Sequence, residues 1–324
     1  MKVFDKLNVL VLLPILLFMS GLLVGGYVVK KRGIPFVKRV AEYSIGIYTG
    51  SSPFNLSPPF GISNPVLTAK DVTDVEAEFV ADPFMVKEKD KWYMFFEVLN
   101  KNTQHGDIGF AISDDGFEWK YKQLVLDEPF HLSYPNVFKW NGEYFMVPET
   151  RYAYAVRLYK AVDFPYKWNY VKDLIVGNYL DPSVFYYNDK WWIFVSERCD
   201  VLHLFYADDL TGPWQRHPAS PVIKLDGNIA RPGGPVLLYN NKLFRFTQDC
   251  DPTYGNLVRA FEITELTTTG YEEKIVSKQP ILRPTGYGWN AEKMHHIDPH
   301  KFDGFGWIAC VDGYGTSIIF GLGY

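Results

Sequence analysis

Apolar and polar positions alternate along this chain in short stretches, and the stretches come in pairs. Each pair begins with an Xaa-Pro step and a short apolar strand, then passes through a polar turn into an aromatic strand that ends near a carboxylate. Three copies are close: Asp82-Pro83-Phe84-Met85-Val86 with Trp92–Glu97, Tyr134-Pro135-Asn136-Val137-Phe138 with Tyr144–Glu149, and Asp181-Pro182-Ser183-Val184-Phe185 with Trp191–Glu197. Two are looser: Gly234-Pro235-Val236-Leu237-Leu238 with Leu243–Asp249, and Asp298-Pro299-His300-Lys301-Phe302 with Trp307–Asp312. Pro83 to Pro135 is 52 residues, Pro135 to Pro182 is 47, Pro182 to Pro235 is 53 and Pro235 to Pro299 is 64. Each interval holds one four-stranded blade, so the pattern predicts an all-β, five-bladed β-propeller.

In an antiparallel hairpin the start of the first strand lies beside the end of the second. Asp82 is therefore expected beside Glu97 and Asp181 beside Glu197, with Glu149, Asp249 and Asp312 in the corresponding places. Radial repetition gathers these groups into an acidic rim at one mouth of the central channel. Carboxylates accept hydrogen bonds from hydroxyls and aromatic faces pack on sugar C–H groups, so the rim suits a polyhydroxylated ligand. Trp92, Tyr144, Trp191 and Trp307 recur at one repeat position and are expected between blades. The terminal segments Tyr43–Tyr48 and Thr316–Phe320 alternate like strands and are expected to complete or buttress the last blade.

Composition fits a large β-domain: 17% of the 324 residues are aromatic, and 21 Pro and 26 Gly supply the many turns. The net charge of −4 comes without a basic stripe, which argues against nucleic acid as a partner. Leu7 to Val29 holds 23 residues without a charge, long enough to cross a bilayer as a helix. The expected organisation is a membrane anchor over residues 1–29, a juxtamembrane stem over 30–44 and the propeller over 45–324. Lys30, Lys31, Arg32, Lys38 and Arg39 follow the span, and the positive-inside rule then places the propeller in the cytoplasm. Cys199, Cys250 and Cys310 lack metal-binding spacing and are expected as buried, inert thiols.

The fragments Val80-Ala81-Asp82-Pro83-Phe84-Met85, Gly106-Asp107-Ile108-Gly109, Phe130-His131-Leu132-Ser133-Tyr134-Pro135, Pro148-Glu149-Thr150, Gln248-Asp249-Cys250 and His295-His296-Ile297-Asp298 together resemble the N-terminal domain of the plant glucosamine inositolphosphorylceramide transferase family and its bacterial relatives. The similarity runs from about residue 45 to about residue 315. It implies a five-bladed propeller of the arabinanase, invertase and glycoside hydrolase family 43 group, and a Golgi-lumenal setting if the chain behaves like the plant transferase. In that transferase a glycosyltransferase domain follows the propeller. Here the sequence ends with the propeller, so a separate glycosyltransferase is an expected partner.

Within the glycosidase group the resemblance makes Asp82 the general base and Asp181 the residue that tunes pKa. The general acid, a Glu before Gly-Pro in the fourth blade, is replaced: Arg231-Pro232-Gly233-Gly234-Pro235 puts Gly233 there. Glu149 and Glu197, from neighbouring blades, are the candidates to replace it, since clustered carboxyls raise one another's pKa. Glu97, His131, Tyr134, Arg231, Asp249 and His296 are the candidate substrate-binding residues. His296, Asp298 and His300 alternate along a strand and are a candidate set for a divalent metal ion. Three functional readings remain open at this level: a membrane-anchored module that binds or processes a glycan or glycolipid in cell-surface glycoconjugate synthesis, a glycosidase or transglycosylase using Asp82, Asp181 and a recruited Glu, and a stand-alone glycosyltransferase.

Overall fold

A computed structural model describes residues 18–22, 25, 37–303 and 306–320. The predicted span over residues 7–29 lies mostly outside them, with only 18–22 and 25 seen as helix. Among the described residues no helix is long and apolar enough to cross a membrane. Residues 42–315 form one compact unit; residues 1–41 with 316–324 form another, of which little beyond strand ends is described.

Strands β1 (Val37–Ser52) and β2 (Asn55–Ser57) come first in the chain and wait for the last blade. Blade I follows as β3 (Ala77–Glu88), β4 (Lys91–Asn100), β5 (His105–Ser113) and β6 (Lys120–Leu126). Blade II is β7 (Ser133–Trp140), β8 (Glu143–Glu149), β9 (Ala155–Asp163) and β10 (Lys167–Val176). Blade III is β11 (Leu180–Tyr187), β12 (Lys190–Arg198), β13 (Val201–Ala207) and β14 (Gln215–Arg216), with β15 (Ile223–Lys224) also paired to β13. Blade IV is β16 (Leu237–Tyr239), β17 (Lys242–Gln248), β18 (Val258–Leu266) and β19 (Tyr271–Ile275). Blade V takes its two inner strands, β20 (Ile297–Phe302) and β21 (Gly306–Phe320), from the C-terminal side and its two outer ones, β1 and β2, from the N-terminal side, in the order β2-β1-β21-β20. The expectation that a terminal segment completes the last blade is met by Tyr43–Tyr48, which lies in β1.

The core is five clusters, one in each cleft between neighbouring blades. Trp92 packs against Ile308 and Cys310 between blades I and V, and Trp191 packs against Val147 and Leu158 between blades II and III. Trp307 meets Tyr239 edge-on between blades V and IV. The aromatic residue that opens the second strand of blades I, II, III and V thus wedges a cleft, as its recurrence predicts, and Leu243 takes that place in blade IV. Cys310 is buried and donates to the Pro83 carbonyl, while Cys199 and Cys250 are only half-buried, so the expectation of buried thiols holds for one of the three.

Inside the ring the blades are tied by one inner-strand position. Counted back from the turn, Phe84, Asn136, Ser183 and Asp298 are equivalent. The Met85 N–H donates to Asp298 Oδ2 at 2.6 Å, the Val184 N–H to Asn136 Oδ1 at 3.0 Å, and Ser183 Oγ to the Gly234 carbonyl at 3.0 Å. Asp298 thus holds blade V to blade I.

Ile45 and Ile47 of β1 are fully buried in the blade I–V cleft, so closure of the ring depends on their contacts. Ile47→Ala should lower unfolding free energy by about 2–5 kcal/mol. Leu238→Ala, at an exposed site, should change it by less than about 0.5 kcal/mol. Equal effects in denaturant titrations would remove β1 from the stabilising core.

Candidate functional site

In blades I, II and III the Xaa-Pro steps are bulges within the inner strands. Between Ala81 and Phe84, Ser133 and Asn136, and Leu180 and Ser183 the register slips by one residue. Asp82, Tyr134 and Asp181 occupy the bulges with φ of 51°, 49° and 47°, a left-handed conformation costly for residues with a Cβ. Each bulge turns its side chain toward the channel. Blade V has no bulge, and counting back from Trp307 puts His296, not Asp298, at the place of Asp82.

The second strands deliver the next ring of groups. Five residues beyond the cleft aromatic stand Glu97, Glu149, Ser196, Gln248 and Asp312. Glu197 and Asp249 lie one residue further on, and a one-residue step along a strand reverses the side chain. Glu197 is accordingly exposed and pairs with His203 Nε2 at 2.9 Å, outside the buried group. Asp249 is buried but pairs with Arg259 at 3.3 Å and accepts from the Asp251 N–H, holding together the loop after β17. These two expectations are corrected by the register, and Gln248 takes the place proposed for Asp249.

What the fold gathers is Asp82 and Glu97 from blade I, Glu149 from blade II, Asp181 from blade III, Arg231 and Gln248 from blade IV, and His295, His296 and Asp312 from blade V. Arg231 holds Asp181 with both arms, Nε to Oδ2 at 2.6 Å and an Nη to Oδ1 at 3.3 Å, and stands 3.9 Å from Glu149. Gln248 Nε2 donates to Asp181 at 2.8 Å. On the other side Asp312 accepts from His295 Nδ1 at 2.7 Å and from the backbone N–H groups of His295, His296 and Asp82 at 3.1, 3.0 and 3.2 Å. His295 presents its other nitrogen to Asp82 at 3.7 Å, stacks on the ring of Tyr43 and meets Tyr254 edge-on. Tyr254 also covers the Arg231 guanidinium at 4.8 Å, a cation–π contact.

These environments drive the carboxyls apart. Burial pushes Glu97 well above the usual carboxylate range, and the charges of Asp82 and Glu149 add to it. Glu149 is raised by burial and by Asp181, with Arg231 opposing. Burial also acts on Asp312, but His295 and the converging donors outweigh it and hold that carboxyl below its ordinary value. Asp82 lies between these extremes, lifted to about 7 by burial and by Asp312 and Asp181, against the pull of His295 and Arg231. The mouth thus contains carboxyls that hold their protons beside one that stays ionised, the raw material of paired acid and base catalysis.

Other expected binding residues divide in two. His131 belongs to the site: its Nδ1 accepts from the Gly106 N–H at 2.9 Å and its Nε2 lies 3.4 Å from Glu97, with burial lowering its pKa to about 4. Tyr134 is a structural tie instead, because its hydroxyl is consumed by Ser183 Oγ, the Gly234 carbonyl and the Gly234 N–H at 2.8, 2.7 and 2.9 Å. His296 is buried edge-on to Phe84 and Tyr134 with neither ring nitrogen hydrogen-bonded. The proposed set His296, Asp298 and His300 does not converge: Asp298 is occupied by the Met85 N–H and by His300 Nε2 at 2.9 Å. A Cβ at Gly233 would lie 2.9 Å from the backbone of Thr247, Gln248 and His295, so no acid side chain fits there.

Three features escaped the sequence reading. Gln248 and His295 have no repeat signal of their own and become part of the site only through Asp181 and Asp312. Tyr152, on the 3-10 turn just after Glu149, is about two-thirds exposed and meets His131 edge-on, offering an aromatic face beside the mouth. Beyond the Phe84–Tyr134–His296 plug the channel widens into a cavity of about 370 Å³ whose walls, among them Val86, Phe138, Trp140, Phe185 and Leu237, are mostly apolar. It is not continuous in chemistry with the polar cluster.

The family model for the N-terminal region of glucosamine inositolphosphorylceramide transferase 1 matches residues 39–314. The rice (Oryza sativa subsp. japonica) protein of that name is 36% identical over 296 residues, and the Arabidopsis thaliana protein 32%. Each alignment covers 84% of this chain, but the chain spans only 40% and 39% of those relatives' length. Among solved structures, the catalytic domain of a GH62 α-L-arabinofuranosidase from Coprinopsis cinerea superposes with a TM-score of 0.54 at 11% identity, covering 87% of this chain and 98% of that one. The β-xylosidase RS223 gives 0.53 at 15% identity over 64% of this chain and 77% of its own. At such identities these two share the fold.

The titration of Asp82 has a sign that can be measured. A carboxyl whose folded-state pKa is raised, here from 3.8 to about 7, contributes stability that is full below its unfolded value and is lost as pH rises through the folded one. Asp82→Asn removes that loss. Relative to wild type it should gain on the order of 4 kcal/mol between about pH 4 and about pH 8. Parallel pH profiles of denaturant stability for the two proteins would show that Asp82 does not titrate in this range.

Proposed function

The chain belongs to the glucosamine inositolphosphorylceramide transferase N-terminal family, and on that premise we propose that its channel mouth takes the sugar headgroup of a glycan or glycolipid during cell-surface glycoconjugate synthesis. One observation carries the reading: strands of four different blades converge Asp82, Glu97, Glu149, Asp181 and Asp312 on a single mouth. Hydroxyl donors suit this array, and the exposed ring of Tyr152 beside His131 suits the apolar face of a sugar. A phosphate would meet Arg231 already engaged by Asp181 and His295 already engaged by Asp312. The uncharged stretch from Leu7 to Val29 is proposed as the membrane anchor that would keep the site near a lipid-linked substrate, with a separate glycosyltransferase as its partner.

A catalytic version of this reading is favoured by the spread of carboxyl pKa values. In it, Asp82 is the base that activates the attacking hydroxyl, and Glu149, kept protonated by burial and by Asp181, is the acid that protonates the leaving oxygen. Asp181, neutralised by Arg231, orients the pair.

The test uses the full chain in detergent with a panel of oligosaccharides and glycolipids, following products by mass spectrometry and binding by thermal shift. If the site is catalytic, Asp82→Asn and Glu149→Gln should each lower turnover by about 10²-fold or more. If it only binds, no product forms, and both variants change affinity for a glycan that stabilises the wild type. A panel in which no sugar forms product or shifts the melting temperature would overturn the proposal.

A further inference from the structure

A second polar cluster lies on the opposite face of β5 from Glu97. A Cβ at Gly106 would point at the Leu132 carbonyl, Glu97 and His131. Its strand neighbours His105 and Asp107 therefore face the other way. There they meet Asp127, in the segment that connects β6 to β7. One ligand atom from each of His105, Asp107 and Asp127 lies within 4.8 Å of the others. Asp107 is fully buried, and although Asn100 donates to its Oδ2 at 3.0 Å, its Oδ1 has no hydrogen-bond partner. The His105 ring nitrogen stands 3.3 Å from that oxygen, and among the described residues no Lys or Arg pairs with Asp107 or Asp127.

A buried carboxylate oxygen facing a second carboxylate and an imidazole, with no cationic side chain to balance them, is an arrangement that a metal ion resolves. The other cluster of this kind, Asp82, His295 and Asp312, is different: the acceptors of Asp312 are filled by His295 and backbone N–H groups. We propose that His105, Asp107 and Asp127 form a site for a divalent transition ion of the Zn²⁺ or Mn²⁺ type, for which one imidazole and two carboxylates are a suitable donor set.

The ion joins β5 to the segment carrying His131. That segment already holds β5 through the Leu132 N–H to the Gly106 carbonyl at 2.8 Å and the Gly106 N–H to His131 Nδ1 at 2.9 Å. Metal on one face of the strand therefore fixes the position of His131 against Glu97 on the other.

The experiment strips the full chain in detergent with chelator and titrates it with Zn²⁺, Mn²⁺ and Ca²⁺, reading calorimetric stoichiometry and melting temperature. The expected result is one Zn²⁺ or Mn²⁺ per chain, bound at least about tenfold more tightly than Ca²⁺, with a rise in melting temperature of about 2 °C or more at saturation. Asp127 is exposed, so Asp127→Asn should leave the metal-free melting temperature unchanged while abolishing both effects. Asp107→Asn should abolish binding as well. The proposal is overturned if no ion binds at one equivalent, if Ca²⁺ binds as tightly as Zn²⁺ and Mn²⁺, or if Asp127→Asn binds within about twofold of wild type.

Discussion

A ring of blades is held by whatever pairs its two ends, and here that is the hydrogen-bonded seam between β1 and β21. Without it blade V has only two strands and the cleft around Trp92 opens to water. The interfaces between blades I, II, III and IV are made by blades that follow one another in the chain, whereas the contacts of blade I with blade V, such as Met85 with Asp298, depend on this closure. The seam joins strands that begin at Val37 and Gly306. Its pairing is the long-range contact through which the local repeats become one closed object, and contacts of this kind form late because their loop-closure entropy is large.

Closure also creates the electrostatic problem that defines the site. Asp82, Glu97, Glu149, Asp181 and Asp312 are all less than a tenth exposed, with Arg231 and His295 as the cations within reach. Two ion pairs satisfy Asp181 and Asp312. The remaining carboxyls cannot all ionise in so dry a volume, and Glu97 and Glu149 keep their protons. The same crowding that burdens the fold leaves acids and bases side by side.

Much of this was legible in the chain. The blade repeat could be read because the cleft aromatic and the hairpin turn recur together, and Asp82, Glu97, Glu149 and Asp181 were found because their copies keep one spacing. Glu197 and Asp249 were misplaced by a single residue: in blade III the matching position is Ser196 and the carboxylate is the next residue, and in blade IV the step from Pro235 to Leu243 is one residue shorter than in blades I to III, so counting from proline and counting from the turn disagree. Blade V lacks the bulge, which is why Asp298-Pro299 imitated Asp82-Pro83 without sharing its position. His295 and Gln248 carried no signal of their own, since a single His or Gln becomes meaningful only when the ring brings Asp312 or Asp181 against it.

Tyr43 stands on β1, yet its ring lies on His295 at 4.8 Å. The roof of the acid–base cluster is thus contributed by the first strand of the ring, and its floor by the last. A chain cut before His295 would carry only fragments of the cluster, with Asp82 lacking both His295 and Asp312. The full set of buried carboxyls and their partners therefore exists only in the closed ring, and it is assembled in one step when β21 pairs with β1.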